Sequence, residues 1–362
     1  MVKHANKILT TTESFLPYEI SLSYDKVDPL GFYDFHGMLT NQTVGPSDGT
    51  FSAHPRIDPA TGDMLFFSAN GGPGSLPLVA FGSVFANGTP DRYFHIPTPY
   101  PSAAFYHDML LTENYAIFVD TSLRKDFSRF VKFQRMIFFN STYNMRFGVL
   151  PRAATTPSEI MWVECSKPGH IWHTISAHEK DGEIVVFAPK FSNYSDDIRI
   201  HLNSEHPSYL TKFVLDLRTL RASEETISDL IVERPSFNPN TLSPKYAYLR
   251  SEGLTSREMG TEIVKFDLLN GKIVGKFGCQ DECVFGEALF IPRKDSVQED
   301  DGYLVDIVYF PGNHTSAFMV WDSLEIPGAP LAVAHLPQRV PYGVHGLWIH
   351  GEHFLNGDNK QG

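Results

Sequence analysis

IWHTISAHEKDGEIVVF, residues 171–187, sets the reading of the fold. Asp181-Gly182 favours the φ > 0 backbone of a two-residue hairpin turn, and the Ile184-Val185-Val186-Phe187 run that follows is β-branched and aromatic. The stretch reads as strand, tight turn, strand. Short segments of the same character recur at 64–68, 115–119, 261–268, 303–310 and 317–321, with further turn dipeptides at Asn87-Gly88, Asn270-Gly271 and Asp301-Gly302. No glycine fingerprint follows a strand, and strands do not alternate with long helical patterns, so a doubly wound α/β fold is excluded. An all-β meander remains, as a propeller ahead of a large barrel or a double sandwich. No crisp repeat of about 40–50 residues supports a WD40-type or kelch-type array.

Working outward, the 362 residues are 42% hydrophobic and 20% charged, enough to bury a large core. A closed β architecture can absorb that length, and the chain is expected to form a single domain over 1–362. The formal charge of −12 opposes the positive surface that phosphate backbones require, which argues against nucleic acid as a partner. MVKHANKILTTTE at the start has no apolar core or cleavage pattern of a secretory signal, and the expected location is cytoplasmic. Without such a signal, the Asn-X-Ser/Thr sequons at Asn41, Asn87, Asn140, Asn193 and Asn313 read as coincidental. Cys165, Cys279 and Cys283 are too few for a disulfide framework and read as ordinary thiols.

One segment departs from the strand pattern. Over 123–139, Leu123, Phe127, Phe130, Val131 and Ile137 fall near helical spacing between Arg124, Lys125, Arg129, Lys132 and Arg135. A basic amphipathic helix is expected here, either touching an anionic membrane or the mouth of an apolar tunnel or, the favoured alternative, packed on the face of the fold and covered by solvent.

Of the 15 histidines, four sit in distinctive settings: Ser52-Ala53-His54-Pro55, Phe105-Tyr106-His107-Asp108, Ile171-Trp172-His173-Thr174 and Gly343-Val344-His345-Gly346. Each has small or aromatic neighbours beside an expected strand end or turn, a position from which a ring can point to a common centre. His178, Glu179 and Glu113 lie near these motifs. On a strand, His178 would face away from His173, and Asp108 away from that common centre.

The runs SAHPRIDPATGDMLFF, FYHDMLLTENYAIF, IWHTISAHEKDGEIVVF and PYGVHGLWI resemble, in order, the four histidine motifs of the carotenoid cleavage oxygenase family. RFGVLPR (146–152) and GEALFIPR (286–293) between them are similar too. The resemblance implies a seven-bladed β-propeller with a helical or loop cap over its metal-bearing face. Fe(2+) would lie on the axis, bound by His54, His107, His173 and His345, with no catalytic residue beyond the metal centre. Imidazole suits iron, and neutral ligands leave the metal's charge available to dioxygen, whereas four ligands would close a tetrahedral zinc site. The resemblance further implies that Glu13, Glu233 and Glu287 receive hydrogen bonds from the ligand histidines, and that Phe105 and Trp172 line the substrate site.

The chain also departs from the family pattern. The segment that precedes the equivalent of Met1 in family members is absent, so an incomplete ring with an open strand edge and weak activity is expected. Stilbene-cleaving relatives carry a lysine immediately before the first of the three glutamates, where this chain has Thr12. The leading expectation is oxidative cleavage of a conjugated C=C bond in a carotenoid or apocarotenoid by O2, giving carbonyl products. A stilbenoid-cleaving oxygenase and a non-catalytic metal-binding paralogue are the alternatives, with isomerohydrolase chemistry as a third course that no residue favours.

Overall fold

The computed structural model describes residues 1–13, 15–23, 25–40, 50–69, 78–100, 102–132, 134–194, 207–252, 260–279, 282–340 and 345–351. The chain is all-β there apart from two short 3-10 turns, Phe127–Lys132 and Pro157–Glu159. The opening stretch folds as its turn signal dictates. Strands Ser176–Lys180 and Glu183–Phe191 pair antiparallel with Lys180 opposite Glu183, and Asp181 and Gly182 take φ of 53° and 82°. Asp301-Gly302 does not form such a turn: Gly302 already begins the strand Gly302–Phe310 and is not among the positive-φ glycines, and a Cβ there would run into the Ile291 carbonyl across the ladder.

Among the described residues the strands make six four-stranded antiparallel units, in chain order. The first runs from Val2–His4 to Val27–Phe32, the second from Arg56–Ile57 to Pro90–Pro97, and the third from Met109–Leu111 to Met161–Glu164. The fourth begins at Ser176–Lys180 and closes on Arg221–Ser236, a 16-residue strand. The near end of that strand pairs with Ser208–Asp216, and its far end pairs with Tyr246–Ser251 to open the fifth unit. The sixth runs from Leu289–Pro292 to Ala332–His335. The seven blades expected from the resemblance are therefore represented by six described units.

The core shows how the units stack. Each of the five hydrophobic clusters lies between two consecutive units. Ala116 and Phe118 face the second unit while Ile117 and Val119 face the fourth, and Val185 and Phe187 face the fifth while Ile184 and Val186 face the third. Side-chain alternation thus buries both faces of the middle strands, which is why they read as continuous apolar runs. Exposed last strands such as Val27–Phe32 and Ala332–His335 mark the outer rim. The first strands converge at the opposite end, where Met109–Leu111 packs beside Arg56–Ile57 and Ser176–Lys180.

The helix expected at 123–139 is overturned. Leu123–Lys125 is a strand between Ala103–Ala104 and Ile137–Phe139, and only Phe127–Lys132 is helical, as a 3-10 turn. Arg124, read as a solvent-facing charge, is fully buried with Asp120. Its Nη1 donates to Asp120 Oδ1 at 2.5 Å and to the Thr121 carbonyl, its Nη2 donates to the Ser102 carbonyl, and its guanidinium lies over the Tyr100 and Tyr143 rings. An internal ion pair and a β-ladder override the helical periodicity, and the basic face that suggested a membrane surface disappears with the helix. No described helix is long and apolar enough to cross a membrane. Asp120→Ala is expected to lower stability by about 3–5 kcal/mol, because it strands a buried guanidinium. Urea unfolding reads this directly, and a loss within error of a surface variant such as Glu225→Ala would contradict it.

The thiol reading of Cys279 and Cys283 is also overturned, since the two form a disulfide with Cα atoms 6.1 Å apart. That span suits a bridge, and the two flank the link between Lys272–Gly278 and the sixth unit. Counting cysteines against a framework missed a local pair. Cys165 is unbridged and buried.

Candidate metal centre

The innermost strands of successive units begin just after residues of the site. His54 precedes Arg56–Ile57, His107 precedes Met109–Leu111, His173 precedes Ser176–Lys180 and Glu287 precedes Leu289–Pro292, while Glu233 lies on the far end of Arg221–Ser236. None of the four histidines is within a strand, so the alternation that separated His178 from His173 does not apply as argued. His178 nevertheless lies apart, stacked on Phe187.

The side chains of His54, His107, His173 and His345 converge, with one nitrogen of each within 4.8 Å of all the others. Nε2 of His107 lies 3.1 Å from that of His54 and 3.2 Å from that of His173, which is 3.2 Å from that of His345. Three of the rings are anchored from behind. His107 Nδ1 donates to Glu13, His173 Nδ1 donates to Glu233 Oε2 at 2.6 Å, and His345 Nδ1 donates to Glu287 Oε1 at 2.9 Å. Backbone N–H groups fix two of the carboxylates in turn, Arg234 on Glu233 and Gly346 on Glu287.

These partners decide the tautomers. A neutral imidazole that donates from Nδ1 carries a lone pair on Nε2. The close Nε2 pairs His107–His173 and His173–His345 are therefore lone pair against lone pair, not hydrogen bonds. Such contacts repel unless a cation sits between them. Metal–nitrogen bonds of about 2.0–2.1 Å would set neighbouring ligand atoms about 2.9–3.4 Å apart, which brackets the observed spacing. The donor set fits a metal.

Electrostatics agree with neutral rings at His54 and His173 and with ionised carboxylates at Glu13, Glu233 and Glu287. Burial, reinforced by the neighbouring imidazoles and Arg56, holds His54 well below the usual imidazole range. Burial also lowers His173, against the pull of Glu233. At Glu233 burial opposes ionisation, but the His173 contact and the Arg234 N–H outweigh it and bring the carboxyl to about 2. Glu13 and Glu287 are likewise lowered by their histidines despite burial.

Phe105 and Trp172 flank His107. Their rings meet edge to face at 5.2 Å, and Trp172 packs on His107 at 4.8 Å. Neither lines the cavity of about 330 Å3 that reaches His54 and His173, whose walls include Arg56, Asp108, Thr174, Leu110, Phe237 and Leu242. Glu179 turns to Asn114. Two features escaped the sequence. Asp108 binds Arg56 and Thr174, a link 52 and 66 residues long. Lys125 places its ammonium 4.5 Å over the Phe105 ring with the Glu13 charge nearby, and burial lowers its pKa. It was hidden on the polar face of a helix that does not form.

Stacked four-stranded sheets whose inner ends hold four converging histidines define a propeller-type protein with a site able to hold a metal. The chain belongs to the carotenoid cleavage oxygenase family, matching the family described as retinal pigment epithelial membrane protein over residues 1–350. It is 32% identical over 373 residues to a carotenoid 9,10(9',10')-cleavage dioxygenase 1 of Phaseolus vulgaris, covering 96% of this chain and 65% of that protein. It is also 32% identical to the chromoplastic zeaxanthin 7,8(7',8')-cleavage dioxygenase of Crocus sativus, covering 92% of this chain and 89% of that one. The chain thus spans just under two thirds of the length of the first relative. The crystal structure of Pseudomonas brassicacearum lignostilbene dioxygenase superposes with a TM-score of 0.85 at 24% identity, over 97% of this chain and 74% of that one, and establishes the fold alone.

Proposed function

We propose that this chain is an iron(II)-dependent dioxygenase that cleaves a conjugated C=C bond of a carotenoid or apocarotenoid into two carbonyl products. The observation that carries it is the set of Nε2 lone pairs of His107, His173 and His345, aimed inward because a glutamate holds each Nδ1. The names of the Phaseolus and Crocus relatives support the substrate class. Ferrous iron, the metal this reading favours, would supply the binding and activation of dioxygen. The chain's own part is to orient and to exclude water. Four imidazoles add no negative charge, Glu13, Glu233 and Glu287 fix ring orientation, and Phe105 and Trp172 offer flat apolar surface beside His107. The three carboxylates already act as acceptors, so no residue is assigned an acid or base step.

The test is iron analysis together with product identification on carotenoids, apocarotenoids and stilbenes. One iron and paired carbonyl products are expected. A fully loaded protein that leaves every polyene intact would turn the reading to a non-catalytic metal-binding protein.

One observation favours a hydroxylated stilbenoid as the second reading. Lys125 brings a cation to the Phe105 side of the site, a charge that Thr12 does not supply. A charge-assisted hydrogen bond to a phenolic oxygen is worth enough that Lys125→Met should cut kcat/KM on a hydroxystilbene by about 10- to 100-fold. Activity on a hydrocarbon apocarotenoid should change little. Equal losses on both substrates would remove Lys125 from substrate recognition.

A further inference from the structure

A single carboxylate ties together three of the four histidine-bearing segments. Asp108, 4% exposed, follows His107 directly. Its Oδ1 accepts from Arg56 Nη2 at 2.8 Å and from the Met109 N–H at 2.7 Å. Its Oδ2 accepts from the same Nη2 at 2.7 Å, from the Thr174 N–H at 2.8 Å and from Thr174 Oγ1 at 2.9 Å. Arg56 closes the circuit, donating from Nε to the Met109 carbonyl at 2.8 Å and from Nη2 to Thr174 Oγ1 at 2.8 Å. Arg56 stands two residues after His54, and Thr174 one residue after His173.

We propose that Asp108, with Arg56 and Thr174, is a positioning residue that sets the spacing of His54, His107 and His173 for the metal. This rests on the metal-site reading above. Two of the tethers are backbone N–H groups, those of Thr174 and Met109, so the carboxylate fixes main chain next to the ligands. The three inner strands that start here share few other contacts, since Met109–Leu111 touches its neighbours at both sides only briefly. His345 lies outside the circuit and keeps its own support in Glu287. A metal needs all four nitrogens within a few tenths of an ångström of their places, so loosening this knot costs affinity before it costs the fold.

The test titrates the whole chain, stripped of metal, with Fe2+ and with Co2+, following the visible ligand-field bands of cobalt. Asp108→Asn keeps the shape but replaces an acceptor oxygen with an NH2, which at either oxygen's place faces the Arg56 guanidinium and a backbone N–H, of Met109 or of Thr174. It should weaken Fe2+ and Co2+ binding about 10-fold and alter the cobalt spectrum. Thr174→Val should do the same to a smaller degree and decides the matter if D108N fails to fold. Arg56→Lys should recover part of what Arg56→Met loses. Lys265→Met breaks a buried ion pair with Asp300 elsewhere and should lower stability with metal affinity intact. Unchanged affinity and spectrum in folded D108N and T174V would overturn the proposal, as would an equal loss of affinity in K265M. His173→Ala separates the two readings: if it binds metal as the parent does, the site assignment itself has failed.

Discussion

His173→Ala is expected to leave the purified protein essentially without iron, with affinity down by more than about 100-fold, beyond what loss of an outer partner brings. His173, like His107, has two close neighbours in the cluster, its Nε2 being 3.2 Å from both His107 and His345. Alanine removes one of the four converging imidazoles and also the only side-chain donor on Glu233 among the described residues, a carboxylate held near a pKa of about 2 by that contact and the Arg234 N–H despite its burial. The vacated volume admits water beside the remaining imidazoles, which competes for the metal and screens it. Metal analysis after dialysis against a weak chelator reads the result. His178→Ala, five residues on and packed against Phe187, should keep its iron and serves as the control. Iron retained in H173A at the parent's stoichiometry would place the metal elsewhere.

What the sequence discloses depends on how local each interaction is. The Asp181-Gly182 turn and the apolar runs around it are short-range signals, and the strands they indicate form where expected. The four histidines stand out because each sits in its own motif. Which glutamate serves which histidine was illegible, since Glu13–His107, Glu233–His173 and Glu287–His345 are separated by 94, 60 and 58 residues. Only the stacking of units brings them together. The 123–139 stretch misled for a related reason: Arg124 belongs inside with Asp120, and alternation of apolar and basic residues cannot distinguish a solvated charge from a buried pair. That misreading also concealed Lys125 beside Phe105.

The three glutamates are not equivalent, and the sharpest loss among them should come at Glu233. It is 8% exposed, and its Oε2 takes both the His173 Nδ1–H and the Arg234 N–H while Oε1 is buried with no hydrogen-bond partner among the described residues. Glutamine in its place can still accept at one oxygen, but it surrenders the charge that strengthens the His173 and Arg234 contacts. That loss weakens iron binding by about 10- to 100-fold. Turning two buried charge-assisted hydrogen bonds into neutral ones also costs about 1–3 kcal/mol of stability. Glu287 differs in that both of its oxygens accept, one from His345 and the other from the Gly346 N–H, so an NH2 there faces a donor, but the Gly346 contact lies at an exposed edge where water can replace it. Glu287→Gln should therefore lose affinity with a smaller loss of stability. Iron titration and urea unfolding on the two variants separate these contributions. Equal stability losses would mean that the buried setting of the Glu233 contacts adds nothing over the exposed edge at Glu287, and unchanged iron affinity in both variants would remove these carboxylates from the support of the metal site.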